Sequence, residues 1–195
     1  MLIGLSGKAG SGKSTVTRYL NDKGFGTRKF AGPLKAMIAA LLEQQGVSPE
    51  TTPDYIEGHL KEIPTEYLGG RSPRYAMQTL GTEWGRGLIS ENFWVDAAMK
   101  QIVDCDGDLI FDDVRFQNEA LAIRRAGGVV VNVVRPALDP VEAHQSEDAL
   151  ADFAFNYVIY NDSTLDRLHK RIETMLRWVT WMHTRASEQY EGGFL

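Results

Sequence analysis

The sequence predicts an α/β fold, in which a parallel sheet is flanked by helices, and three observations support this prediction. Segments typical of strands alternate along the 195-residue chain with segments of helical apolar spacing. The run Val129–Val134 is rich in β-branched residues, as in parallel strands that are buried on both faces. A glycine-rich loop separates the first strand from the first helix. The length favours a single domain spanning residues 1–195.

The N-terminal half is predicted to contain two strands and four helices. Pro33 suits the first turn of a helix, and apolar residues recur after it at helical spacing. Residues 47–72 are polar and contain three prolines, so we expect a mobile insert outside the core. The predicted elements are strands Leu2–Ser6 and Thr27–Phe30 and helices at about Lys13–Asp22, Pro33–Gly46, Pro73–Ile89 and Asn92–Val103.

The C-terminal half is predicted to complete the sheet and to end in a long helix. Asp162 or Ser163 is expected to cap that helix. Its predicted apolar stripe contains Leu165, Leu168, Ile172, Leu176 and Val179. The other predicted elements are strands Asp108–Phe111, Val129–Val134 and Phe155–Tyr160 and a helix at Phe116–Ala126.

The composition restricts the classes of partner. The chain is 43% hydrophobic and 24% charged, as in ordinary globular proteins, and its net charge is −5. An acidic chain offers no general attraction to a nucleic-acid backbone, so no nucleic-acid partner is expected. The lone Cys105 fits a reducing compartment, and no apolar run approaches the ~20 residues of a membrane span. We therefore expect a cytoplasmic protein without a membrane partner, and leave a homodimer open.

Residues 7–14 form the strongest motif, a G-x-x-x-x-G-K-[ST] loop between a strand and a helix. Glycines let successive backbone N–H groups point at phosphate oxygens, and the following helix adds the positive end of its dipole. Lys13 is expected to reach the β- and γ-phosphates, and the Ser14 hydroxyl to ligate Mg²⁺. The chain is therefore expected to bind a nucleoside triphosphate through Gly7, Lys8, Ala9, Gly10, Ser11, Gly12, Lys13, Ser14 and Thr15.

A second constellation lies where the strand Leu109–Phe111 ends in Asp112 and Asp113. A carboxylate after a hydrophobic strand is typical of the metal anchor that accompanies a phosphate-binding loop. Asp113 is our first choice for this role, and Asp112 is the alternative. Arg115 follows in a position to point toward the phosphates, or to form an ion pair with Glu119 or Asp112.

The remaining features favour a small-molecule kinase among triphosphate-binding proteins. The Asn-Lys-x-Asp motif by which GTPases read the base does not occur in the sequence. The long segment between the first helix and the Asp113 strand carries Lys35, Arg74 and Arg86. Such a segment suits a kinase, which must hold an anionic acceptor and exclude water during transfer.

Several motifs together resemble the deoxynucleoside monophosphate kinases of bacteriophage type. The resemblance covers residues 4 to about 165, and it is most specific in the block Gln78-Thr79-Leu80-Gly81-Thr82 and in Asp113-Val114-Arg115-Phe116-Gln117-Asn118-Glu119. Further matching segments are Phe30–Lys35, Arg74, Glu83, Arg86, Trp94, His144-x-Ser146-Glu147 and Asn161-Asp162.

The resemblance implies a P-loop kinase fold with a helical monophosphate-binding insert at about residues 47–90 and a short lid at about residues 135–150. It implies that Lys35, Arg74 and Arg86 contact the acceptor phosphate, that Gln78 reads the base and that Trp94 or Phe30 stacks on it. It makes Arg124, Arg125 and Arg135 candidates for the lid side, where charge develops, with Arg135 favoured because it ends a buried strand, and it places Asn161 at the adenine. The implied catalytic residues are Lys13, Asp113, Arg115 and Arg135.

The implied activity is transfer of the ATP γ-phosphoryl to a deoxynucleoside 5′-monophosphate, with Mg²⁺ held by Ser14 and Asp113. Two alternatives stay open. One is a kinase of another small acceptor such as dephospho-coenzyme A, whose hydroxyl acceptor would need a carboxylate base. The other is an ATP-hydrolysing switch or nucleic-acid-remodelling ATPase, which the acidic charge and short length disfavour.

Overall fold

A computed structural model describes residues 1–102, 105–136, 150 and 152–191, with side chains through residue 185. The chain divides into two compact units. Unit 1 contains Met1–Arg28 and Asp106–Leu195, and unit 2 contains Lys29–Cys105. Unit 2 extends beyond both ends of the insert that the sequence predicts at residues 47–90.

The described residues form five strands, seven α-helices and two other helical segments. The strands are β1 (Leu2–Ser6), β2 (Gly26–Arg28), β3 (Leu109–Phe111), β4 (Val129–Val134) and β5 (Tyr157–Tyr160). The helices are α1 (Lys13–Asp22), α2 (Gly32–Gln44), α3 (Thr52–Ile56), α4 (Pro73–Thr79), α5 (Phe93–Lys100), α6 (Gln117–Arg125) and α7 (Leu165–Glu191). A 3₁₀ turn spans Glu66–Leu68 and a π-helix spans Leu80–Ile89.

Unit 1 is built on a five-stranded parallel sheet with strand order β2-β3-β1-β4-β5. The central strand β1 pairs Leu2 with Leu109 of β3 and Ile3 with Val129 of β4. Helices alternate with these strands along the chain, so the predicted α/β class is confirmed. The predicted bounds of β1, α1 and β4 agree with the structure.

The two faces of the sheet are covered by different helices. Ile3 and Leu5 pack into a core with buried residues of α1 and α7. Gly4 points the other way, since side chains alternate along a strand, and a β-carbon there would meet Val114 and Ile123 of the α6 side. The sheet is therefore closed on both faces, which explains why β4 is so rich in valine.

Helix α7 begins differently from the prediction. Thr164 Oγ1, rather than Asp162 or Ser163, accepts a 3.4 Å hydrogen bond from the first-turn N–H of Arg167, while Asp162 is bound by Arg171. Leu165 is exposed because it stands at the start of the helix, before the first turn that faces the sheet. The buried stripe consists of Leu168, Ile172, Met175 and Val179, and Leu176 is partly buried against the same core.

Unit 2 is helical and has its own core. Ile38 and Leu42 of α2 pack with Val47, Ile56 and Met77. The prediction that residues 47–72 lie outside the core is therefore wrong in part. Val47 and Ile56 are isolated apolar residues in a polar stretch, and they reach the core because a turn at Gly46 and the short helix α3 direct them inward.

The helical stretch predicted for residues 73–89 is confirmed, but its second part is a π-helix. This part contains Gly85, whose hypothetical β-carbon would lie 2.2 Å from Nε1 of Trp94. The glycine thus lets the indole of α5 approach the π-helix backbone. None of the described helices is both long and apolar enough to cross a bilayer.

Candidate functional site

The glycine-rich loop between β1 and α1 follows a path that only glycine adopts without strain. Gly7, Gly10 and Gly12 have φ values of 142°, 75° and 103°. A β-carbon on Gly7 would lie 2.4 Å from the Val133 carbonyl oxygen, and one on Gly12 would lie 2.4 Å from Nδ2 of Asn161. The loop is therefore shaped both by backbone conformation and by close neighbours.

Lys13 folds its ammonium group into the curl of this loop. Its Nζ donates hydrogen bonds to the carbonyl oxygens of Gly7 and of Lys8, the latter at 3.1 Å. The Ser11 hydroxyl is buried and finds no hydrogen-bond partner among the residues that the structure describes. A cation and an unsatisfied hydroxyl beside a helix N-terminus fit a phosphate group, because each of these gains from an anion.

Asn161 binds the glycine-rich loop from the end of β5, which lies two strands away from β1 in the sheet. It follows β5, and its backbone N–H donates to the Val134 carbonyl at 2.7 Å. Its side-chain Nδ2 donates to the Ser11 carbonyl at 3.0 Å. Asn161 thus lies beside the glycine-rich loop, and its side chain is bound to the loop backbone. Its contact with adenine stays a prediction.

Asp112 and Asp113 directly follow β3, and both are half-buried. The turn after them is fixed by the buried carboxylate of Glu119, whose Oε2 accepts the backbone N–H groups of Arg115 at 2.7 Å and Phe116 at 3.1 Å. From the sequence, Glu119 was considered only as an ion-pair partner of the Arg115 side chain and as part of the family motif. The sequence does contain a pattern that indicates this capping role, because an acid at the third position of a helix commonly accepts hydrogen bonds from the N–H groups before the helix.

Arg115 and Arg135 are both exposed. Arg115 follows β3 and Arg135 follows β4, so both lie beyond the carboxyl ends of parallel strands, the edge where the glycine-rich loop also lies. Most of the segment predicted as a lid, residues 135–150, lies outside the described residues, and so do His144, Ser146 and Glu147 of the motif.

Arg124 of α6, a candidate from the sequence for the lid side, makes structural contacts within unit 1. Its Nε donates to Asn156 at 3.0 Å, a second nitrogen donates to the Ala154 carbonyl, and its guanidinium lies 4.4 Å from the Phe153 ring centroid. These contacts tie α6 to the segment before β5.

The oxygen atoms near the glycine-rich loop fit a Mg²⁺ ion that is bound by only one or two protein atoms. In the described part of the chain, no three His, Cys, Asp or Glu side chains converge as a metal cluster. Mg²⁺ bound with nucleotide phosphates does not need one, because one or two protein oxygens, phosphate oxygens and water complete its shell. The exposed Ser14 at the start of α1 and the carboxylates after β3 carry oxygens of this kind, and their binding of Mg²⁺ stays a prediction.

The residues predicted to bind the acceptor all lie in unit 2. Lys35 of α2 donates a hydrogen bond to Glu57, and Arg74 of α4 pairs with Glu62. Gln78 is exposed on α4, and Arg86 is half-buried in the π-helix. Lys35 and Arg74 thus belong to charged pairs, and the acid of each pair, Glu57 and Glu62, was not singled out from the sequence.

Trp94 is buried and packs inside unit 2. Its indole N–H donates to the Gly81 carbonyl at 2.8 Å, and its ring centroid lies 4.8 Å from that of Phe93 and 6.0 Å from that of Trp84. Phe30 is buried as well. This packing favours a structural role for Trp94, and its contact with the acceptor stays a prediction.

The parallel sheet and the loop that curls around Lys13 define a nucleotide-binding protein of the P-loop class. Comparison with known sequences identifies the family within this class. A family model described as deoxynucleotide monophosphate kinase matches residues 66–172. The chain belongs to the deoxynucleotide monophosphate kinase family.

Individual relatives agree with this assignment. A putative deoxynucleotide monophosphate kinase of Acanthamoeba polyphaga mimivirus is 32% identical over 189 residues, which cover 88% of this chain and 94% of the relative. The deoxynucleotide monophosphate kinase of Escherichia phage RB69 is 31% identical over 110 residues, 54% of this chain and 45% of the relative. A cytidylate kinase of Thermotoga sp. (strain RQ2) is 39% identical over 70 residues, 35% of this chain and 31% of the relative.

Proposed function

We propose that the chain transfers the γ-phosphoryl group of ATP to the phosphate of a deoxynucleoside 5′-monophosphate, which yields ADP and the deoxynucleoside diphosphate. The observation that carries this proposal is the loop of residues 7–14, with the Lys13 ammonium inside its curl, in a chain of the deoxynucleotide monophosphate kinase family. No macromolecular partner is needed for this reaction.

The loop binds and orients the donor nucleotide. Backbone N–H groups of residues 7–14 and the Ser11 hydroxyl surround the β-phosphate, and Lys13 exchanges its contacts with the Gly7 and Lys8 carbonyls for phosphate oxygens. Asn161 keeps the Ser11 peptide in place during this exchange. Ser14 and Asp113 would hold Mg²⁺, which supplies charge neutralisation at the phosphates when bound.

The chemical step needs positioning rather than a strong base. The acceptor phosphate oxygen is already anionic near neutral pH, so it attacks the γ-phosphorus while the bond to the β,γ-bridging oxygen breaks. Lys35, Arg74 and Arg86 hold the acceptor phosphate, and Gln78 contacts the base. Arg115 and Arg135 offset the charge that spreads over the transferred group.

The test is ADP formation from ATP and Mg²⁺ with each common ribo- and deoxynucleoside monophosphate in turn. We expect acceptor-dependent turnover for one or more deoxynucleotides. Lys13→Ala should lower kcat about 100-fold or more, because Lys13 meets charge that develops in the transition state. Lys100→Ala, an exposed lysine of α5, is the matched control and should retain activity.

The same assay separates the rival functions. Dephospho-coenzyme A as the preferred acceptor would point to a kinase with a hydroxyl acceptor. ATP turnover that is independent of any small acceptor, or that appears only with DNA, would contradict the proposal and favour an ATP-driven switch.

A further inference from the structure

Unit 2 contains a concentration of positive charge in an otherwise acidic chain. The side chains of Lys29, Lys35 and Lys61 converge on one carboxylate, that of Glu57. Lys29 Nζ lies 3.0 Å from Glu57 Oε1, Lys35 Nζ donates to the same oxygen, and Lys61 Nζ lies 4.0 Å from Oε2. We call these four residues the Glu57 cluster.

Arg74 lies next to the Glu57 cluster. Its backbone N–H donates to the Lys61 carbonyl at 2.9 Å, and its guanidinium pairs with Glu62. Arg74 therefore adds a fourth cation beside the three lysines of the Glu57 cluster, and a phosphate monoester is the kind of anion that such a group of cations binds.

The cluster is incompletely satisfied by its own carboxylate. Lys61 stands beyond hydrogen-bond distance from Glu57, although its side chain is only 23% exposed. Burial lowers the pKa of Lys61, Glu57 partly opposes this, and the neighbouring Lys35 and Arg74 lower the pKa further. A shielded ammonium in this position gains from any additional anion.

Glu57 itself is held as an anion by the lysines. Burial alone would raise its pKa, but hydrogen bonds and charge from Lys35 and Lys29 outweigh burial and bring the pKa to about 2. The Glu57 side chain is nevertheless 46% exposed, so an anion can approach it from solvent.

We propose that the Glu57 cluster is a phosphate-binding site in which the Glu57 carboxylate takes the place of the acceptor phosphate and yields the lysines to it on binding. The inference deepens the proposed function and rests on it. It adds Lys29 and Lys61 to the acceptor-phosphate ligands, and it makes Glu57 a residue that sets acceptor affinity. A phosphate offers three terminal oxygens where the carboxylate offers two, so it can bind Lys61 as well as Lys29 and Lys35.

The test compares two cluster variants with matched exposed controls. Glu57→Gln and Lys61→Met change the cluster, and Glu43→Gln on α2 and Lys100→Met on α5 are the controls. Two quantities are measured for each protein: KM for the best deoxynucleoside monophosphate, and the affinity for inorganic phosphate by calorimetry without ATP.

We expect Glu57→Gln to lower both KM and the phosphate Kd about threefold or more, because a competing anion is removed. Lys61→Met should raise both about tenfold, the effect of one lost charge-assisted hydrogen bond. The controls should leave both unchanged. Unchanged or weaker phosphate binding in Glu57→Gln, or unchanged binding in Lys61→Met, would overturn the inference.

A third variant and the turnover-free binding measurement distinguish a failure of this inference from a folding defect and from a failure of the proposed function. Glu57→Asp keeps the charge but shortens the side chain, and it should bind phosphate with an affinity between those of the wild type and Glu57→Gln. Because phosphate binding is measured without turnover, wild-type protein that shows no acceptor-dependent ADP formation contradicts the proposed function alone. Normal turnover with no change of phosphate affinity in the variants contradicts the Glu57 exchange alone.

Discussion

At the scale of single residues, the contact between Gly85 and Trp94 decides how closely α5 can pack against the π-helix. The indole occupies the space where a β-carbon of residue 85 would lie, with three ring atoms at 2.2–2.7 Å. A side chain at position 85 would displace the indole or the backbone, and the indole is also held by its hydrogen bond to the Gly81 carbonyl. The packing of unit 2 therefore requires a residue without a side chain at position 85.

Gly85→Ala should lower the free energy of unfolding by about 1–3 kcal/mol, the usual cost of overpacking. Gly87→Ala is the matched control, since a β-carbon there meets only the Thr82 carbonyl oxygen, at 3.4 Å. It should be neutral or gain up to about 1 kcal/mol from helix propensity. Urea unfolding curves measure both, and equal effects of the two substitutions would contradict the packing argument.

How well individual site residues could be predicted depends on how far apart their partners lie in the sequence. Gly7, Gly12 and Lys13 were predictable because one short loop fixes their spacing. The contact of Asn161 with Ser11 joins residues 150 positions apart, and that of Glu57 with Lys35 joins residues 22 apart. Partners so far apart produce no local pattern in the sequence. The Asn161–Ser11 contact and the Glu57 cluster are therefore visible only in the tertiary structure.

At the scale of elements, α7 shows that apolar spacing in the sequence does not always match burial in the structure. Leu165 and Leu168 are the same residue type on one helix, yet Leu165 is 56% exposed and Leu168 is 3% exposed. Periodicity alone assigned both to the core. Periodicity does not tell where the helix begins relative to the sheet that it covers.

Leu168→Ala should cost about 2–5 kcal/mol of unfolding free energy, because it removes buried methyl groups and leaves a cavity against the sheet. Leu165→Ala, the matched control, should change stability by at most about 0.5 kcal/mol. Thermal or urea denaturation distinguishes them. A loss at position 165 as large as that at position 168 would show that the start of α7 is covered in solution.

The elements of the sheet were predicted better than those of unit 2 for a physical reason. Parallel strands such as β4 are buried on both faces and must be apolar throughout, which gives a strong local signal. The segment around Val47 and Ile56 reaches the core with isolated side chains, because a turn and a five-residue helix position them. Such a segment has too few apolar residues for any period to appear.

At the scale of the whole molecule, both units rely on carboxylates held ionised by cations. Hydrogen bonds from Arg171 lower the pKa of Asp162, and those from Lys23 and Tyr19 lower the pKa of Glu173. Burial would raise the pKa of Glu57, but hydrogen bonds and charge from Lys35 and Lys29 outweigh burial and bring this pKa from 4.5 to about 2. Because the folded pKa values are depressed, these groups stabilise the protein above their unfolded pKa values and lose that contribution as the pH falls.

The unfolding free energy of the wild type should therefore fall between about pH 4.5 and pH 2. Glu57→Gln should be less stable than the wild type at pH 7, and the difference should shrink toward pH 2 as Glu57 becomes protonated in the wild type. Urea unfolding at pH 7, 4 and 2.5 measures this, with Glu43→Gln as the control. A difference that stays constant across this range would exclude ionic stabilisation by Glu57.

The order of strands in the sheet has a consequence for synthesis on the ribosome. The N-terminal strand β1 lies between β3 and β4, and β2 pairs only with β3, so neither has a neighbour until residues 109–134 have been made. Unit 2, by contrast, is one continuous stretch, Lys29–Cys105. Its helices can pair through local contacts as they emerge, while the first two strands wait for partners about eighty or more residues downstream. The unit encoded in the middle of the gene is thus the first that can be completed, and the nucleotide-binding loop, although among the earliest residues translated, takes its working shape among the last.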